Sequence, residues 1–173
     1  ILRGKIIPDV GGDTLFADMY AAYDGLSDRT KEKIDKATAE HNFVATFGRG
    51  MDEEKKAAML EKYPVAHHPV VRTHPETGRK GLYVNAAFTT HILDMEKQES
   101  DALLYKLYMR AQIPEHQCRF RWRTNSVAFW DSRCTQHHAI WDYYPHTRHG
   151  YRVTIQGDRP YYDPTSAPAS LKA

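Results

Sequence analysis

From Cys118 onward the apolar residues of this chain recur at every second position, and no other feature constrains its fold as strongly. Cys118, Phe120 and Trp122 alternate with Arg119, Arg121 and Arg123. Successive side chains point to opposite faces of a strand, so the pattern puts the apolar set on one face and the arginines on the other. The stretch "TNS" then turns the chain into "VAFWD". Further strands are expected at about Thr135–Trp141 and His149–Gln156.

The earlier half reads differently. Leu2–Ile7 is an expected strand, closed by Pro8 and a Gly11-Gly12 turn. "TLFADMYAAYDGL" is helix-prone, with Gly25 as its stop. Ser27 can cap a polar surface helix to about Glu40, and Asp52 opens "EEKKAAMLEKY", which ends at Pro64. After Ser100, Leu103, Leu104, Leu107, Tyr108 and Ala111 form a helical core stripe. Between these helices a Pro- and Gly-punctuated loop resolves into a strand at Leu82–Asn85. The result is an α+β chain whose later strands resemble part of a barrel or jelly roll. The tail after Pro160 has no periodicity and is expected to wrap or fray.

Length and charge narrow the classes. A chain of 173 residues holds one domain with a real core. Its 24 basic and 22 acidic residues are scattered with no basic block, which argues against nucleic-acid and membrane partners. Cys118 and Cys134 are the only cysteines, too few for a disulfide framework, so a cytoplasmic protein is expected. The chain opens on Ile1 already in strand register, the expected look of a fragment.

The candidate site lies in "TQHHAIWDYYPHTRHGYRVTIQGDRP", residues 135–160, which carries four histidines and three arginines. Alternation puts Thr135, His137 and Ala139 on one face and Gln136, His138 and Ile140 on the other. Arg148, Gly150, Arg152 and Thr154 share a face in the next strand. Four residues of strand separate the arginines by about 13 Å, which suits two different anions better than one. A solvated outer face and an anion pocket both fit this pattern, and the planar fork of Arg favours carboxylate or sulfonate oxygens in the second case. His137 stands eleven residues before Arg148. Oxygenases with non-haem Fe(II) and 2-oxoglutarate need such an arrangement, with two histidines and a carboxylate on one side of the metal.

The stretches "GGDTLFADMYAAYDGLS", "HPVVRTHPETGRKGLYVNAAFTT", "WDSRCTQHHAIWDY" and "RVTIQGDRP" resemble the taurine dioxygenase (TauD/TfdA) family, from Ile1 to about Pro160. The resemblance implies a double-stranded β-helix (jelly-roll) core with flanking helices, incomplete at its N-terminus. Residues 1–160 would be the C-terminal portion of that domain and 161–173 a tail. It implies Fe(II), 2-oxoglutarate and O2 as cofactor and cosubstrates. By position, His137 matches the distal histidine ligand of the metal. Thr14 and Arg148 match the pair that holds the far carboxylate of 2-oxoglutarate. Arg152 matches the arginine for the substrate sulfonate, and Phe88 an aromatic residue of the substrate pocket. The implied reaction hydroxylates an alkyl sulfonate such as taurine, releasing sulfite and an aldehyde, or a sulfate ester. A homo-oligomer is expected.

One part of the pattern is missing. The family's first two metal ligands lie in an H-x-D motif before the "GGDT" segment, and no histidine precedes Thr14 here. The sole H-x-[D/E] is His74-Pro75-Glu76, placed by the resemblance in a loop leading to a strand. The rival expectation is a truncated, non-catalytic jelly-roll homologue that binds a small anion or a partner chain. A zinc or cupin-type isomerase or hydrolase would keep the barrel without the paired arginines.

Overall fold

The computed structural model describes residues 1–166. Strand β1 (Leu2–Ile6) runs through the Gly11-Gly12 turn into β2 (Thr14–Asp18), α1 (Met19–Asp24) and α2 (Asp28–Ile34). β3 (Thr38–His41), α3 (Phe43–Phe47), α4 (Glu53–Lys62), β4 (Ala66–Pro69), β5 (Val71–Thr73), β6 (Lys80–Leu82) and β7 (Thr89–Ile92) follow. α5 (Lys97–Arg110) leads through a 3-10 turn at Pro114–His116 to β8 (Gln117–Phe120), β9 (Val127–Ala128), β10 (Thr135–Ala139) and β11 (His149–Arg152).

The strands make small antiparallel sheets ordered β11-β1-β9, β10-β2-β8, β4-β3-β7 and β5-β6. This is the mixed helix-and-strand architecture that the change of period implies. Below the sheets, Ile34, Val70, Val71, Leu82, Val84, Ile92 and Leu107 are fully buried. Each such side chain contributes about 1.5–3 kcal/mol by leaving water. The buried Ser100 hydroxyl accepts the Ile92 N–H at 2.8 Å and ties α5 to β7.

Several expectations need correction. Thr14–Asp18 is a strand and not the start of a helix, because it is the central strand between β10 and β8. The helix begins only at Met19, where the Asp18 carboxylate accepts the Tyr20 and Ala21 N–H groups. The helix after Ser27 stops at Ile34, and the residues up to His41 enter β3. That helix is not purely superficial, since Thr30 and Ile34 are buried. The loop before Leu82 contains β4 and β5, and the strand expected at Leu82–Asn85 lies earlier, at Lys80–Leu82. α3 and β7 were not anticipated. The late strands are shorter than expected, ending at Ala139 and Arg152.

Part of the tail is held. Tyr161 accepts the Thr73 N–H at 2.8 Å, and Asp163 donates its N–H to Thr73 Oγ1 at 2.9 Å. The Tyr162 hydroxyl donates to Asp35 at 2.9 Å. The tail expectation for residues 167–173 lies outside the described residues. Among the described residues, no helix is long and apolar enough to cross a membrane.

Candidate functional site

Register brings the first residues together. In the β10–β2–β8 sheet, Ala139 and Phe120 flank Thr14, while His137 and Cys118 flank Phe16. Residues directly opposite share a face, so Thr14 and His137 lie on the same side, one strand period apart. His138 pairs with Leu15 on the other side.

Thr14 is buried, and its hydroxyl oxygen accepts the indole N–H of buried Trp122 at 2.9 Å. Indole nitrogen only donates, so the Thr14 proton is left free to donate in turn. The Arg148 guanidinium lies over the Trp122 ring, 5.4 Å from its centroid, as cation–π contacts require. Arg148 Nε is buried without a hydrogen-bond partner, and Arg148 makes no ion pair with any described residue. The turn permits this approach. Gly11 and Gly12 have φ of 80° and 72°, and a Cβ on Gly12 would stand 2.8 Å from Arg148 Cδ. Gly12 also donates its N–H to Asp142 Oδ1 at 2.7 Å, which fixes the chain just before Arg148.

His137 is more open. By area its residue is exposed, yet Trp130 and Phe16 crowd the ring at centroid distances of 4.9 and 6.2 Å. That partial desolvation first, and then the nearby charges of Arg152 and His138, hold its pKa below the ordinary imidazole value. The ring is therefore neutral at pH 7, as a metal ligand must be. Arg152, opposite Leu2 in β1, is exposed and makes no ion pair among the described residues. Arg148 thus belongs to the Thr14 corner, while Arg152 acts near His137.

Phe88 sits elsewhere. It follows a turn in which Asn85 Oδ1 accepts the Ala87 and Phe88 N–H groups, both at 3.0 Å. Its ring meets Phe47 and Phe43 at 5.5 and 6.4 Å. Phe88 and His137 both line a cavity of about 1010 Å³. His138 faces the opposite way from His137, as expected, and lines the cavity as well. The lining therefore includes side chains from both faces of β10, Thr135 and His137 as well as Gln136 and His138.

His74 is built into the fold. Its Nδ1 accepts the N–H groups of Glu76 and Thr77, each at 3.2 Å, so its proton sits on Nε2 and is directed to Asp131 at 3.1 Å. Arg133 binds both Asp131 oxygens, and this interaction, foremost, holds the Asp131 carboxyl far below the usual carboxylate range. Among the described residues, His74, Asp131 and Cys134 are the one group of metal-capable side chains within 4.8 Å of one another. Their atoms are largely engaged with each other and with Arg133, and His137 is not among them.

Trp122 is the residue that sequence reasoning assigned only to an apolar face. A tryptophan at the end of an arginine-flanked alternation carries an N–H that needs an acceptor when buried, which is the signal available.

The chain matches the model of the family described as taurine catabolism dioxygenase TauD, TfdA family over residues 1–154, and it belongs to that family. A Saccharomyces cerevisiae protein named alpha-ketoglutarate-dependent sulfonate dioxygenase is 39% identical over 159 residues, covering 90% of this chain and 38% of that protein. An Acinetobacter baylyi alkylsulfatase is 34% identical over 166 residues, 91% of this chain and 52% of that protein. The crystal structure of a taurine dioxygenase from Burkholderia xenovorans superposes with a TM-score of 0.80 at 37% identity, covering 96% of this chain and 54% of that one. The chain thus spans about half the length of these relatives or less.

Proposed function

We propose that this chain is the cosubstrate- and substrate-anchoring part of an Fe(II)- and 2-oxoglutarate-dependent oxygenase that hydroxylates a small sulfonate or sulfate ester. On this reading the β10-β2-β8 and β11-β1-β9 sheets are walls of a double-stranded β-helix. The observation that carries the proposal is the buried, unpaired Nε of Arg148 beside a threonine whose proton is free. A half-buried guanidinium whose Nε is out of water and unpaired is partly desolvated at a cost, and the far carboxylate of 2-oxoglutarate relieves that cost. Thr14 donates to one carboxylate oxygen and Arg148 to the other. Trp122 keeps the hydroxyl oriented and water out. When bound, 2-oxoglutarate supplies two electrons and leaves as succinate and carbon dioxide.

The metal is a different matter. His137 offers one neutral imidazole, and no cluster of metal-capable residues includes it among the described residues. The donor set of this chain does not fit a complete iron site, so no step is derived through iron. Arg152 faces the region of His137 as a free cation for the substrate anion, and Phe88 packs the substrate's carbon skeleton.

Succinate formation by the full-length protein, with Fe(II), 2-oxoglutarate and a panel of sulfonates and sulfate esters, tests this reading. Sulfonate-dependent succinate is expected. The rival is an anion-binding homologue without oxygenase chemistry. Binding of 2-oxoglutarate with no succinate under any substrate would select the rival.

A further inference from the structure

Phe88 is not the only aromatic ring on its side of the cavity. Phe43, at the start of α3, and Tyr63, just after α4, line the space with Phe88 and His137. The Phe43 ring meets Tyr63 at 5.0 Å, Phe88 at 6.4 Å and Phe47 at 4.8 Å between centroids. The local chain holds the rings there. Asn42 donates its N–H to the Phe88 carbonyl at 2.8 Å, and its side chain accepts the Val44 and Ala45 N–H groups that open α3. Neither α3 nor α4 buries a residue, so core packing does not account for the cluster. Phe47, Tyr63 and Phe88 keep 46, 43 and 38% of their surface exposed. A contiguous apolar patch left open beside a cavity marks a binding groove, where single scattered rings would not.

Charge decides what such a groove can take. No aspartate or glutamate is among the described residues that line the cavity. Its one permanently charged side chain, Arg133, already binds both oxygens of Asp131. His41 and His68 line it too, and burial pushes the His41 pKa down to about 4 and holds that of His68 below its ordinary value. Both rings are therefore neutral near pH 7, and His41 Nε2 and His68 Nδ1 are buried in the wall without partners, out of a ligand's reach. An ammonium group entering here would lose water and find no carboxylate. Nor do the phenyl rings make a cage for a cation. Phe43 is tilted only 22° from Phe47 and 28° from Phe88, a layered arrangement and not walls around one centre. The cavity volume of about 1010 Å³ stands at the top of the range of about 300–1,000 Å³ typical of small-molecule sites. A two-carbon aminosulfonate would leave most of it empty.

We propose that Phe43 and Tyr63, together with Phe88, are specificity-determining residues that hold an extended, uncharged apolar tail of the substrate and select against a cationic one. This rests on reading the cavity as the substrate site of the oxygenase. The preferred class is then an alkyl sulfonate or alkyl sulfate ester with its anionic head toward His137 and Arg152, and not an aminoalkyl sulfonate such as taurine.

The test is calorimetric titration of the full-length protein, without oxygen, using ethane-1-sulfonate, hexane-1-sulfonate and 6-aminohexane-1-sulfonate as probes. A methylene taken fully out of water tightens binding about four-fold, and one half covered about two-fold. Hexane-1-sulfonate is therefore expected to bind about fifteen-fold tighter than ethane-1-sulfonate, since the rings stay partly open. The ammonium of 6-aminohexane-1-sulfonate should weaken binding about ten-fold relative to hexane-1-sulfonate. Phe43→Ala should cut the hexane-to-ethane ratio about five-fold, while Phe43→Leu should keep most of it. Tyr63→Ala should cut the ratio as well and serves as a second probe should Phe43→Ala not fold. A ratio near one in the parent, the result if another segment of the full-length protein fills the cluster, overturns the proposal. So does an ammonium probe that binds as tightly as hexane-1-sulfonate, a ratio that survives both alanine variants, or no binding of any probe. Because heats of binding need no turnover, failure of the oxygenase reading appears as absent succinate and not as a lost tail preference.

Discussion

Two parts of the molecule carry cationic side chains near the candidate site, and they are built in opposite ways. At the Thr14 corner, Arg148 is wedged between a glycine turn and an indole, with its Nε out of water. At the His137 edge, Arg152 lies on an exposed strand and the imidazole keeps part of its surface open. The first is pre-organised within this chain alone. The second is positioned but unfinished, with one metal-capable side chain and a cation in contact with solvent. Pre-organisation matters because a fixed cation spends less of its binding free energy on ordering. The dry corner should therefore govern affinity for a cosubstrate common to every turnover, while the open edge should tune which substrate is accepted.

The largest expected effect tests the dry side. In the full-length protein, Arg148→Ala should weaken 2-oxoglutarate by about 2–5 kcal/mol, as for other truncated buried charge pairs. Anaerobic titration with 2-oxoglutarate measures it. A loss of less than about three-fold would mean that Arg148 is merely a packed surface cation and that the contrast between the regions is false.

Acid should separate the two sides next. His41 has its pKa pushed down to about 4, and that of His137 is also lowered, while unfolded histidines titrate near their ordinary value. The unfolded chain therefore binds protons first as pH falls. Stability is full above about pH 6.5, declines as pH drops toward about 4, and then levels, with His41 contributing at most about 3 kcal/mol. Denaturant midpoints at pH 7.5 and 4.5 should differ less in His41→Gln than in the parent. An identical difference would show that the acid-sensitive groups lie elsewhere.

Thr14→Val should have a smaller effect, and one that reports on the corner's internal wiring. It keeps shape but leaves the Trp122 N–H without its acceptor, a cost of about 1–3 kcal/mol in stability. Trp122→Phe in the same background should not add a second loss of that hydrogen bond. Additive losses in the double mutant, read from unfolding midpoints, would show that the two side chains act independently.

How much of this was legible without coordinates follows the same division. The alternation from Cys118 located the late strands, and the motif positions pointed to His137, Thr14, Arg148, Arg152 and Phe88 as candidates. Chain-local patterns failed where neighbours decide. Leu15, Phe16 and Ala17 are helix-compatible, and only pairing with β8 and β10 makes them strand. The strands β3, β4, β5 and β7 are three or four residues long, too short to display a period. Trp122 was visible as an apolar position, but its partner lies 108 residues away and no local pattern can name it. Nothing local in the sequence sets His41 and His68 apart from the other histidines, because an unpaired ring nitrogen is a property of packing and not of composition.

The smallest effect is the most discriminating. Arg152→Ala should lower affinity for sulfonates by about five-fold, because an exposed ion pair contributes only about 1 kcal/mol or less. The 2-oxoglutarate affinity should stay unchanged, since Arg148 and Thr14 are untouched. One further sign should appear: with the charge of Arg152 gone, the His137 pKa should rise toward its ordinary value. Titration of the His137 ring resonances in metal-free protein reads that shift directly, independently of turnover. Matching losses for both ligands, together with an unmoved His137 titration, would place Arg152 away from the histidine. The two arginines would then form a single, generally basic surface, and the division between a dry corner and an open edge would fall.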